Sequence, residues 1–529
     1  MKDYPYEERV LPFILEDKAA LMGDAPLIVG EGELSYREAR DKAAALAGGL
    51  ASLGVERGDR VLTMLPNTVE AVIAFLGIAW AGAIGVPVNT AYKGDILRYV
   101  MSDADARVLI IDAEYLPVFT EVAAEITGVS SVVVVGETRD VPGRRVVPWD
   151  DVLASSPAPR ADVTPGDIQA IMYTSGTTGQ SKGVMVPYHQ AYQYANPHTT
   201  HFQVEGEVIY VTLPLFHIGG QWQGIYAAML ANGRAVLKRK YSVSNFWADV
   251  DRYGVTQTTL LGVMAEFLWK QPPSDNDRKH TLKRVTMAPA LENAAEFAER
   301  FGVRIGQGWG LTETGCVTRP PALDEPPQDP QCCGRVNDEL YELILVDEND
   351  RPVPPGVPGE ALVRGKQPFI TMAGYWRKPE ATVATWRNLW LHTGDVLVQN
   401  PDGTYKFVDR LKDCIRRRGE NISSLEVENS VLAHPDVREC AAVPVRTEHI
   451  EDEVMIFVSL RPGSNLTPAA LHAFLKERMP AFMVPRYIEI QDDLPKTPTA
   501  KIKKDVLRSR GVGPETWDSE QSHPQGAAR

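Results

Sequence analysis

The sequence YTSGTTGQSKGV, from Tyr173 to Val184, constrains the fold more than any other segment of this chain. It directly follows the apolar run IQAIM, so we expect a core strand that opens into a loop at this point. Three glycines allow the loop backbone to approach a ligand closely. The Ser and Thr hydroxyls, together with Lys182, can surround phosphate oxygens from several sides. A flexible Ser/Thr/Gly surface turn is the alternative.

The loop does not have the Walker pattern GxxxxGK[ST]. Ser181 precedes Lys182 and Gly183 follows it, whereas the Walker pattern requires Gly before the lysine and Ser or Thr after it. This difference disfavours a phosphoryl-transferring ATPase.

Apolar strand-like runs on the N-terminal side of the loop predict an α/β fold. The runs that begin at Arg60, Arg107 and Ser131 alternate with helical stretches, as in layered α/β proteins. Ser35 and Glu38 form a capping-box pattern that starts one such helix at Tyr36, and Gly54 marks its end.

The apolar segment from Ala71 to Val88 has the minimum length of a membrane-spanning helix. It is rich in Ala and Gly and is interrupted by Gly82, Gly85 and Pro87. We therefore predict a buried helix, a turn and a short core strand instead of a membrane span.

A second folding unit is expected after Asp409. The charged stretch DRLKDCIRRRGEN is followed by a new series of helices and strands, in which Ser423 and Glu426 again fit a capping box. We predict a large N-terminal domain of layered α/β subdomains (residues 1–410) and a small α+β C-terminal domain (411–510). The polar residues 511–529 are expected to form a flexible tail.

Composition narrows the classes of function. The 529 residues are 44% hydrophobic and carry a formal net charge of -14, which argues against broad binding to nucleic acid or anionic lipid. Five irregularly spaced cysteines give neither a disulfide framework nor a zinc pattern. The N-terminus lacks the features of a signal peptide, so a cytoplasmic location is expected.

The loop closely resembles the signature of the adenylate-forming superfamily, which includes acyl-CoA synthetases, luciferases and the adenylation domains of peptide synthetases. Further motifs of that superfamily follow in order along nearly the whole chain: LPLFHIGG (213–220), GWGLTETG (308–315), HTGD (392–395), DRLKD (409–413) and PKTPTAKIKK (495–504).

The resemblance implies an enzyme with ATP and Mg²⁺ as cofactors and CoA as co-substrate. A carboxylate would attack the α-phosphate of ATP to give acyl-AMP and pyrophosphate, and a thiol would then take the acyl group. The resemblance therefore implies an ATP-dependent carboxylic acid:CoA ligase. Its partners would be small molecules and not nucleic acid, and a homodimer is expected because relatives are often dimers.

The resemblance also implies a nucleotide site. Glu313 would bind the metal ion, Thr312 the α-phosphate and Asp395 the ribose hydroxyls, with Arg410 close to the ribose or phosphate. The residues implied to bind ATP are Thr174, Ser175, Gly176, Thr177, Thr178, Gly179, Lys182, Ala288, Pro289, Gln307, Gly308, Trp309, Thr312, Asp395 and Arg410. Glu313 and Arg410 could instead be solvated, and Ala288, Pro289 and Trp309 could be core residues.

The C-terminal motifs imply a mobile second domain. Lys501 matches the catalytic lysine of the family, although Ala500 stands where a glycine is common. Lys412 matches the hinge, and Arg418, Gly419 and Glu420 match the element that approaches CoA. The three arginines of the motif RRRGEN (416–421) could help to bind the CoA phosphates, or they could equally form a solvated basic face.

His217 indicates the type of acid. Relatives that activate amino acids usually carry Asp at this position to bind the substrate ammonium group, so we expect an acid that lacks an α-ammonium. His217 would be catalytic and, with Gln221 and Trp222, would line the acyl pocket, although His217 and Trp222 could also be core residues. Cys332 and Cys333 are interpreted as packing residues.

Two alternatives remain open. One is an acyl-AMP ligase that loads a carrier protein. The other is a non-catalytic nucleotide-binding sensor. A protein that only binds a nucleotide does not need the residues that stabilise a transition state, so this alternative is disfavoured by the presence of all six such residues: Lys182, Thr312, Glu313, Asp395, Arg410 and Lys501.

Overall fold

The computed structural model of the chain describes residues 1–174, 180–200, 202–288, 290–291, 293–325, 329, 332–410, 414–417, 420–446, 452–495, 502 and 504–521. At residues 263, 409, 410, 414, 421, 423, 425 and 505 it describes the backbone only.

The described residues form two compact units. Unit 1 consists of Met1–Thr90, Arg98–Tyr173 and Lys182–Asp409. Unit 2 consists of Ala91–Leu97, Thr174–Ser181 and Arg410–Arg529. The predicted fold class, an α/β chain with a large N-terminal and a small C-terminal part, is confirmed. The predicted domain limits, 1–410 and 411–510, and the mobility of the small domain stay predictions.

The α-helices in the described part of the chain are α1 (Leu11–Met22), α2 (Tyr36–Ser52), α3 (Val69–Trp80), α4 (Gly94–Ala104), α5 (Leu116–Val122), α6 (Trp149–Leu153), α7 (Tyr188–Ala195), α8 (Pro197–Thr200), α9 (Ile218–Gly220), α10 (Ala227–Leu230), α11 (Phe246–Tyr253), α12 (Gly262–Trp269), α13 (Ala294–Phe301), α14 (Pro379–Thr385), α15 (Ser424–Leu432), α16 (Pro468–Arg478) and α17 (Lys504–Arg510). A π-helix spans Gln221–Tyr226, and 3₁₀ turns span Tyr6–Glu8, Ala123–Glu125 and Arg387–Leu389.

The strands are β1 (Pro26–Gly30), β2 (Leu34–Ser35), β3 (Arg60–Met64), β4 (Ile84–Pro87), β5 (Val108–Asp112), β6 (Ser131–Val135), β7 (Arg145–Pro148), β8 (Ile168–Thr174), β9 (Lys182–Pro187), β10 (Val208–Val211), β11 (Arg234–Leu237), β12 (Gln257–Leu260), β13 (Arg284–Met287), β14 (Arg304–Gly306), β15 (Gly310–Leu311), β16 (Gly315–Cys316), β17 (Thr318–Arg319), β18 (Arg335–Val336), β19 (Tyr341–Val346), β20 (Gly359–Gly365), β21 (Gly374–Tyr375), β22 (Leu391–Gln399), β23 (Tyr405–Arg410), β24 (Cys414–Arg417), β25 (Glu420–Ser423), β26 (Val437–Arg446), β27 (Asp452–Leu460), β28 (Tyr487–Gln491) and β29 (Trp517–Asp518).

Three larger sheets organise unit 1. The first has the order β21-β9-β8-β4-β3-β5-β6-β7. In it the neighbouring pairs β8–β4, β4–β3, β3–β5, β5–β6 and β6–β7 are parallel. The second has the order β14-β13-β12-β10-β11-β1-β2 and is parallel except at β2. The third, β19-β20-β22-β23, contains the antiparallel pairs β19–β20 and β20–β22.

Local sequence signals predicted several of these elements correctly. The three predicted strand runs form β3, β5 and β6, which are neighbours in one sheet. Helix α2 starts with the predicted capping box between Ser35 and Glu38, and Gly54 adopts φ +79° just beyond its end. The segment 71–88 forms most of the buried helix α3, then a turn and β4. In the described residues, no helix is long and apolar enough to cross a membrane.

Unit 2 is built on the sheet β26-β27-β28-β29, with β24 and β25 as a separate hairpin. Part of the expected flexible tail belongs to this sheet, because β29 pairs antiparallel with β28. The Asp518 carboxylate accepts hydrogen bonds from Arg486 (both 3.1 Å), and the Trp517 ring lies 5.2 Å from that of His472. The polar composition of the tail concealed these contacts. Residues 522–529 lie outside the described part.

Candidate active site

Thr312 and Glu313 lie in the turn of a tight hairpin in unit 1. Strands β15 and β16 pair so that Gly310 faces Cys316 and Leu311 faces Gly315. A Cβ atom at Gly310 would lie 1.9 Å from the Gly315 carbonyl oxygen, and Gly315 itself adopts φ +78°. The glycines of GWGLTETG are therefore required by the close approach of the two strands.

The backbone of this turn is fixed from several directions. Gln190 Nε2 donates a hydrogen bond to the Thr312 carbonyl oxygen (2.8 Å), and the Met372 N–H donates to the Glu313 carbonyl oxygen (2.8 Å). Inside the turn, the Leu311 N–H donates to Thr314 Oγ1 (3.0 Å). The side chains of Thr312 and Glu313 thus extend from a pre-organised backbone.

Tyr375 connects the Glu313 carboxylate with Lys182. Strand β21 pairs antiparallel with β9, which begins at Lys182. The Tyr375 hydroxyl donates to Glu313 Oε1 (3.0 Å), and Lys182 Nζ lies 4.3 Å from the centroid of the Tyr375 ring. Burial and the Glu313 carboxylate raise the pKa of Tyr375 well above its usual range, so the phenol stays protonated. One aromatic side chain therefore holds both a cation and an acid in place.

Asp103 anchors the strand that leads into the glycine-rich loop. Its carboxylate accepts a hydrogen bond from the Tyr173 hydroxyl (2.7 Å) and pairs with Lys378 Nζ (3.3 Å). Its carbonyl oxygen accepts from Trp376 Nε1 (2.9 Å). Burial and Asp103 raise the pKa of Tyr173, so this phenol also remains a donor.

The structure brings together two residues implied to contact the nucleoside. Trp309 Nε1 donates to Asp395 Oδ2 (2.9 Å), and Asp395 is only 3% exposed. The Trp309 N–H donates to Thr318 Oγ1 (2.7 Å), and a Cβ at Gly308 would lie 2.6 Å from the Thr318 carbonyl oxygen. Gln307 is buried and directly follows strand β14, which ends at Gly306.

Only some of the other residues predicted to bind the nucleotide lie in the described part of the chain. Ala288 follows β13, and its N–H donates to the Leu260 carbonyl oxygen (3.2 Å). Thr174 is the last residue of β8. Ser175, Gly176, Thr177, Thr178, Gly179 and Pro289 lie outside the described residues.

Of the residues predicted to line the acyl pocket, one lines a cavity and another is packed in the core. His217 precedes the short helix α9, and its ring lies 4.7 Å from that of Phe216. Phe216 and Gln221 line a cavity in unit 1. Trp222 is 1% exposed and packs edge-on against Tyr194, with 5.9 Å between the ring centroids, and it does not line this cavity.

In unit 2, Glu420 begins β25 and is partly buried. Arg410 ends β23, with only its backbone described. Lys412, Arg418, Gly419 and Lys501 lie outside the described residues. Arg417, which the sequence left open as a phosphate ligand or a solvated residue, is 5% exposed. It pairs with Glu453 (2.6 Å) and donates to the Val484 carbonyl oxygen (2.7 Å), so this arginine supports the unit internally.

The described residues fit a Mg²⁺ ion that would be bound mainly by the phosphates of a substrate. Within the described ranges, no group of three His, Cys, Asp or Glu side chains could hold a metal ion by itself. Mg²⁺ is commonly bound by one or two carboxylates together with substrate phosphates. The oxygen chemistry of Glu313, fixed by Tyr375, suits that mode.

The cysteines of unit 1 are packing residues. Cys332 and Cys333 are buried, as interpreted from the sequence, and burial raises the pKa of Cys333 to about 12. Burial likewise raises the pKa of Cys316 to about 11. Neither of these two thiols has the thiolate character of a nucleophile.

Sequence motifs did not identify Tyr375, Gln190 or Asp103 as parts of this site. Their partners are 62, 122 and 70 residues away along the chain, so only the tertiary fold joins them. The GYW triplet around Tyr375 is the one local signal, since a glycine within a strand often marks the close approach of a ligand or of another backbone.

Two family models match the chain. One, described as AMP-binding enzyme, covers residues 15–376. The other, described as AMP-binding enzyme C-terminal domain, covers residues 426–501.

Curated relatives match over nearly the full length. Crotonobetaine/carnitine–CoA ligase of Salmonella agona (strain SL483) is 31% identical over 519 residues, which is 93% of this chain and 98% of the relative. The ligase of the same name from Salmonella arizonae (strain ATCC BAA-731 / CDC346-86 / RSK2980) is 31% identical over 520 residues, 94% of this chain and 96% of the relative.

Solved structures share the fold. The anthranilate CoA ligase AuaEII in complex with anthranoyl-AMP is 27% identical, with a TM-score of 0.70 over 96% of this chain and 99% of that chain. The amide bond synthetase McbA from Marinactinospora thermotolerans has a TM-score of 0.82 over 95% of this chain and 99% of that chain. At 24% identity it supports the fold alone.

These findings confirm the resemblance drawn from the motifs and, at the level of the family, the predicted class of AMP-forming acid–thiol ligase. The chain belongs to the AMP-binding enzyme family.

Proposed function

We propose that this protein is an ATP-dependent carboxylic acid:CoA ligase that works through an acyl-AMP intermediate. In the first step a carboxylate oxygen attacks the α-phosphorus of ATP, and the bond to the β-phosphate breaks to release pyrophosphate. In the second step the CoA thiolate attacks the acyl carbonyl carbon, and the bond to the phosphate oxygen breaks to release AMP.

The arrangement of Lys182, Tyr375 and Glu313 carries this proposal. A carboxylate that attacks a polyanion must overcome charge repulsion, so the site needs fixed groups that neutralise phosphate charge. Lys182 supplies a cation at one end of the arrangement, and the Tyr375 phenol holds the Glu313 carboxylate at the other. Such pre-organisation needs no covalent enzyme intermediate.

Mg²⁺ is the proposed cofactor, and Glu313 together with the ATP phosphates would hold it. When bound, the ion supplies charge neutralisation at the phosphates. Tyr375 donates to one carboxylate oxygen of Glu313 and so orients the carboxylate.

We assign the remaining roles from the motifs. Asp395 accepts hydrogen bonds from the ribose hydroxyls. Trp309 fixes the Asp395 carboxylate and forms a wall beside the adenine. Thr312 contacts the α-phosphate. Lys501 bridges the substrate carboxylate and the α-phosphate, and rotation at Lys412 brings the second domain to the thiol-transfer position.

The acid is one without an α-ammonium group, because His217 replaces the usual Asp. The names of the relatives suggest crotonobetaine, carnitine and anthranilate as the first acids to test. Aliphatic and other aromatic acids complete the panel.

Product analysis by mass spectrometry tests the proposal. Reactions contain ATP, Mg²⁺, CoA and the acid panel, with the wild type, Lys501→Ala and the control Lys503→Ala. We expect AMP and a thioester from the wild type and the control, and neither from Lys501→Ala. ADP instead of AMP would overturn the adenylation mechanism.

The same reactions separate the alternatives. Acyl-AMP without thioester would indicate a carrier protein as the acceptor. ATP binding in calorimetry, with no pyrophosphate–ATP exchange for any acid, would indicate a nucleotide sensor. A homodimer stays a prediction, which sedimentation velocity tests.

A further inference from the structure

The HTGD motif leaves the regular pairing of the sheet β19-β20-β22-β23 in unit 1. Strands β20 and β22 pair antiparallel on both sides of it, with Leu362 opposite His392 and Glu360 opposite Val396. Between these two pairs, a single residue of β20 lies opposite the three residues Thr-Gly-Asp of β22. Bulges are common next to active sites, where they redirect a side chain. The residue that ends this bulge is Asp395, to which the proposed function assigns the ribose hydroxyls.

Glu360 holds this bulge from the neighbouring strand. The Gly394 N–H donates a hydrogen bond to Glu360 Oε1 (3.1 Å), and His392 Nδ1 lies 3.1 Å from Glu360 Oε2. The Glu360 side chain is only 15% exposed, so these contacts are largely shielded from water and are correspondingly strong. One carboxylate thus fixes both the first residue of the motif and the backbone directly before Asp395.

Thr393 holds the same bulge from within. Its Oγ1 donates to the Ala361 carbonyl oxygen (2.7 Å) and accepts a hydrogen bond from the Asp395 N–H (3.1 Å). Gly394 adopts φ +71°, a left-handed conformation that favours glycine. The backbone of the bulge is therefore defined by two side chains, Thr393 in β22 and Glu360 in β20.

An ionic cluster next to the bulge offers a purely structural role for Glu360. Arg387 Nη2 lies 3.2 Å from His392 Nδ1, and Arg387 also pairs with Asp350 (2.9 Å). Glu360 could belong to this cluster and stabilise only the sheet. The two roles differ in one measurable respect, because a structural role affects all nucleotides equally, whereas placement of Asp395 affects only the recognition of the ribose hydroxyls.

We propose that Glu360 is a positioning residue for ribose recognition, which acts by fixing the bulge from which Asp395 accepts the ribose hydroxyls. The inference rests on the proposed role of Asp395 and names the residue on which that role depends. Groups that bind a ligand must be held within about 0.5 Å of their productive positions by supporting hydrogen bonds. Trp309 restrains the Asp395 carboxylate, and Glu360 restrains the backbone that carries it.

Two substitutions at Glu360 and one matched control separate positioning from stability. Glu360→Ala removes both contacts of the carboxylate. Glu360→Gln keeps an oxygen that accepts from the Gly394 N–H, and its amide can donate to His392 Nδ1. Glu342→Ala is the control, since Glu342 is a carboxylate of the adjacent strand β19 that pairs with Arg364.

Thr393→Val tests the bulge independently of Glu360. Valine keeps the shape of the threonine side chain but removes the hydroxyl, and with it the hydrogen bonds to the Ala361 carbonyl oxygen and from the Asp395 N–H. This variant also decides the question if Glu360→Ala does not fold. Asp395→Ala, which removes the proposed acceptor itself, provides the reference for lost ribose recognition.

Calorimetry measures the Kd of each protein for ATP, 2′-deoxy-ATP and 3′-deoxy-ATP in the presence of Mg²⁺. The decisive quantity is the ratio of the Kd of each deoxynucleotide to the Kd of ATP. The ligands differ by one hydroxyl, so a folded variant that is only less stable keeps the ratio of the wild type. Thermal melting establishes that each variant is folded at the temperature of the titration.

We expect ratios of about 10 to 100 for the wild type, Glu342→Ala and Glu360→Gln, because each deoxynucleotide lacks a hydroxyl that donates to a carboxylate. In Glu360→Ala and Thr393→Val the ratios fall toward the value of about one that is expected for Asp395→Ala, which has no acceptor for either hydroxyl.

Wild-type ratios in Glu360→Ala, together with lost discrimination in Asp395→Ala, would overturn the inference and leave the role of Asp395 intact. If Glu360→Ala does not fold, wild-type ratios in Thr393→Val would overturn it. Equal affinity of the wild type for all three nucleotides would contradict the proposed role of Asp395, and the inference would fail with it. The ligase function is tested separately by the formation of AMP and thioester.

Discussion

At the scale of single residues, the Tyr375 hydroxyl is expected to matter more than its position outside the recognised motifs suggests. Tyr375→Phe removes the hydrogen bond to Glu313 but keeps the ring beneath Lys182. A hydrogen bond to a charged group is worth about 1.5–3 kcal/mol, so we expect kcat to fall about 10- to 100-fold, with a higher Mg²⁺ requirement. Steady-state kinetics at varied Mg²⁺ concentration measures both effects.

The control is Tyr36→Phe, which removes a buried hydrogen bond to the Gly233 carbonyl oxygen on another part of unit 1. It should lower stability and leave the Mg²⁺ dependence unchanged. Equal kinetics for Tyr375→Phe and the wild type would show that Glu313 is oriented without the phenol.

At this scale, some residues of the site could be predicted from sequence motifs, and others are recognisable only from tertiary contacts. The sequence predicted Glu313, Asp395 and Trp309 because each lies in a contiguous pattern with known chemistry. It did not predict Tyr375. Tyr375 reaches Glu313 only through the pairing of β21 with β9, which the sequence does not reveal.

At the scale of secondary-structure elements, the β15–β16 hairpin is expected to be intolerant of any side chain at its closest approach. Gly310→Ala places a Cβ 1.9 Å from the Gly315 carbonyl oxygen, so the strands must separate and move Thr312 and Glu313. We expect at least a 100-fold loss of kcat/KM, because small misplacement of catalytic groups is costly. Gly513→Ala, whose added Cβ has no neighbour nearer than 3.9 Å, should behave as the wild type.

Circular dichroism of Gly310→Ala separates local from global damage. A native-like spectrum with lost activity supports the hairpin account, whereas native-like activity would contradict it.

Elements with local signals were predicted well, and elements made by long-range pairing were not. Helix α2 carries its own capping box, and glycines and a proline divide the 71–88 segment in the sequence itself. Strand β29 has no such signal, since it depends on Arg486 and His472, which lie about 30 and 45 residues earlier in the chain. Pairing of this kind becomes visible only in the folded unit.

At the scale of the whole molecule, stability should decrease in mild acid because of His189. This histidine is fully buried, and burial, aided by Arg9, lowers its pKa from 6.5 to about 4. The unfolded chain therefore binds a proton that the folded chain does not. The contribution of neutral His189 to the free energy of unfolding is fully present above pH 6.5 and is lost as the pH falls toward about 4.

Urea unfolding across this range measures the effect. The wild type should lose up to about 1.4 kcal/mol per pH unit more than His189→Gln, whereas the exposed-site control His198→Gln should follow the wild type. Parallel pH profiles for the wild type and His189→Gln would contradict the assignment.

The fate of the carboxylate oxygen tests the central claim most directly. An acid labelled with ¹⁸O in its carboxylate is incubated with ATP, Mg²⁺, CoA and the wild-type protein, and the nucleotide products are analysed by mass spectrometry. The acyl-AMP route predicts one ¹⁸O atom in the phosphate of AMP, because the acid oxygen stays on phosphorus when the thiol displaces AMP. Unlabelled AMP, or ADP with the label in inorganic phosphate, would contradict it.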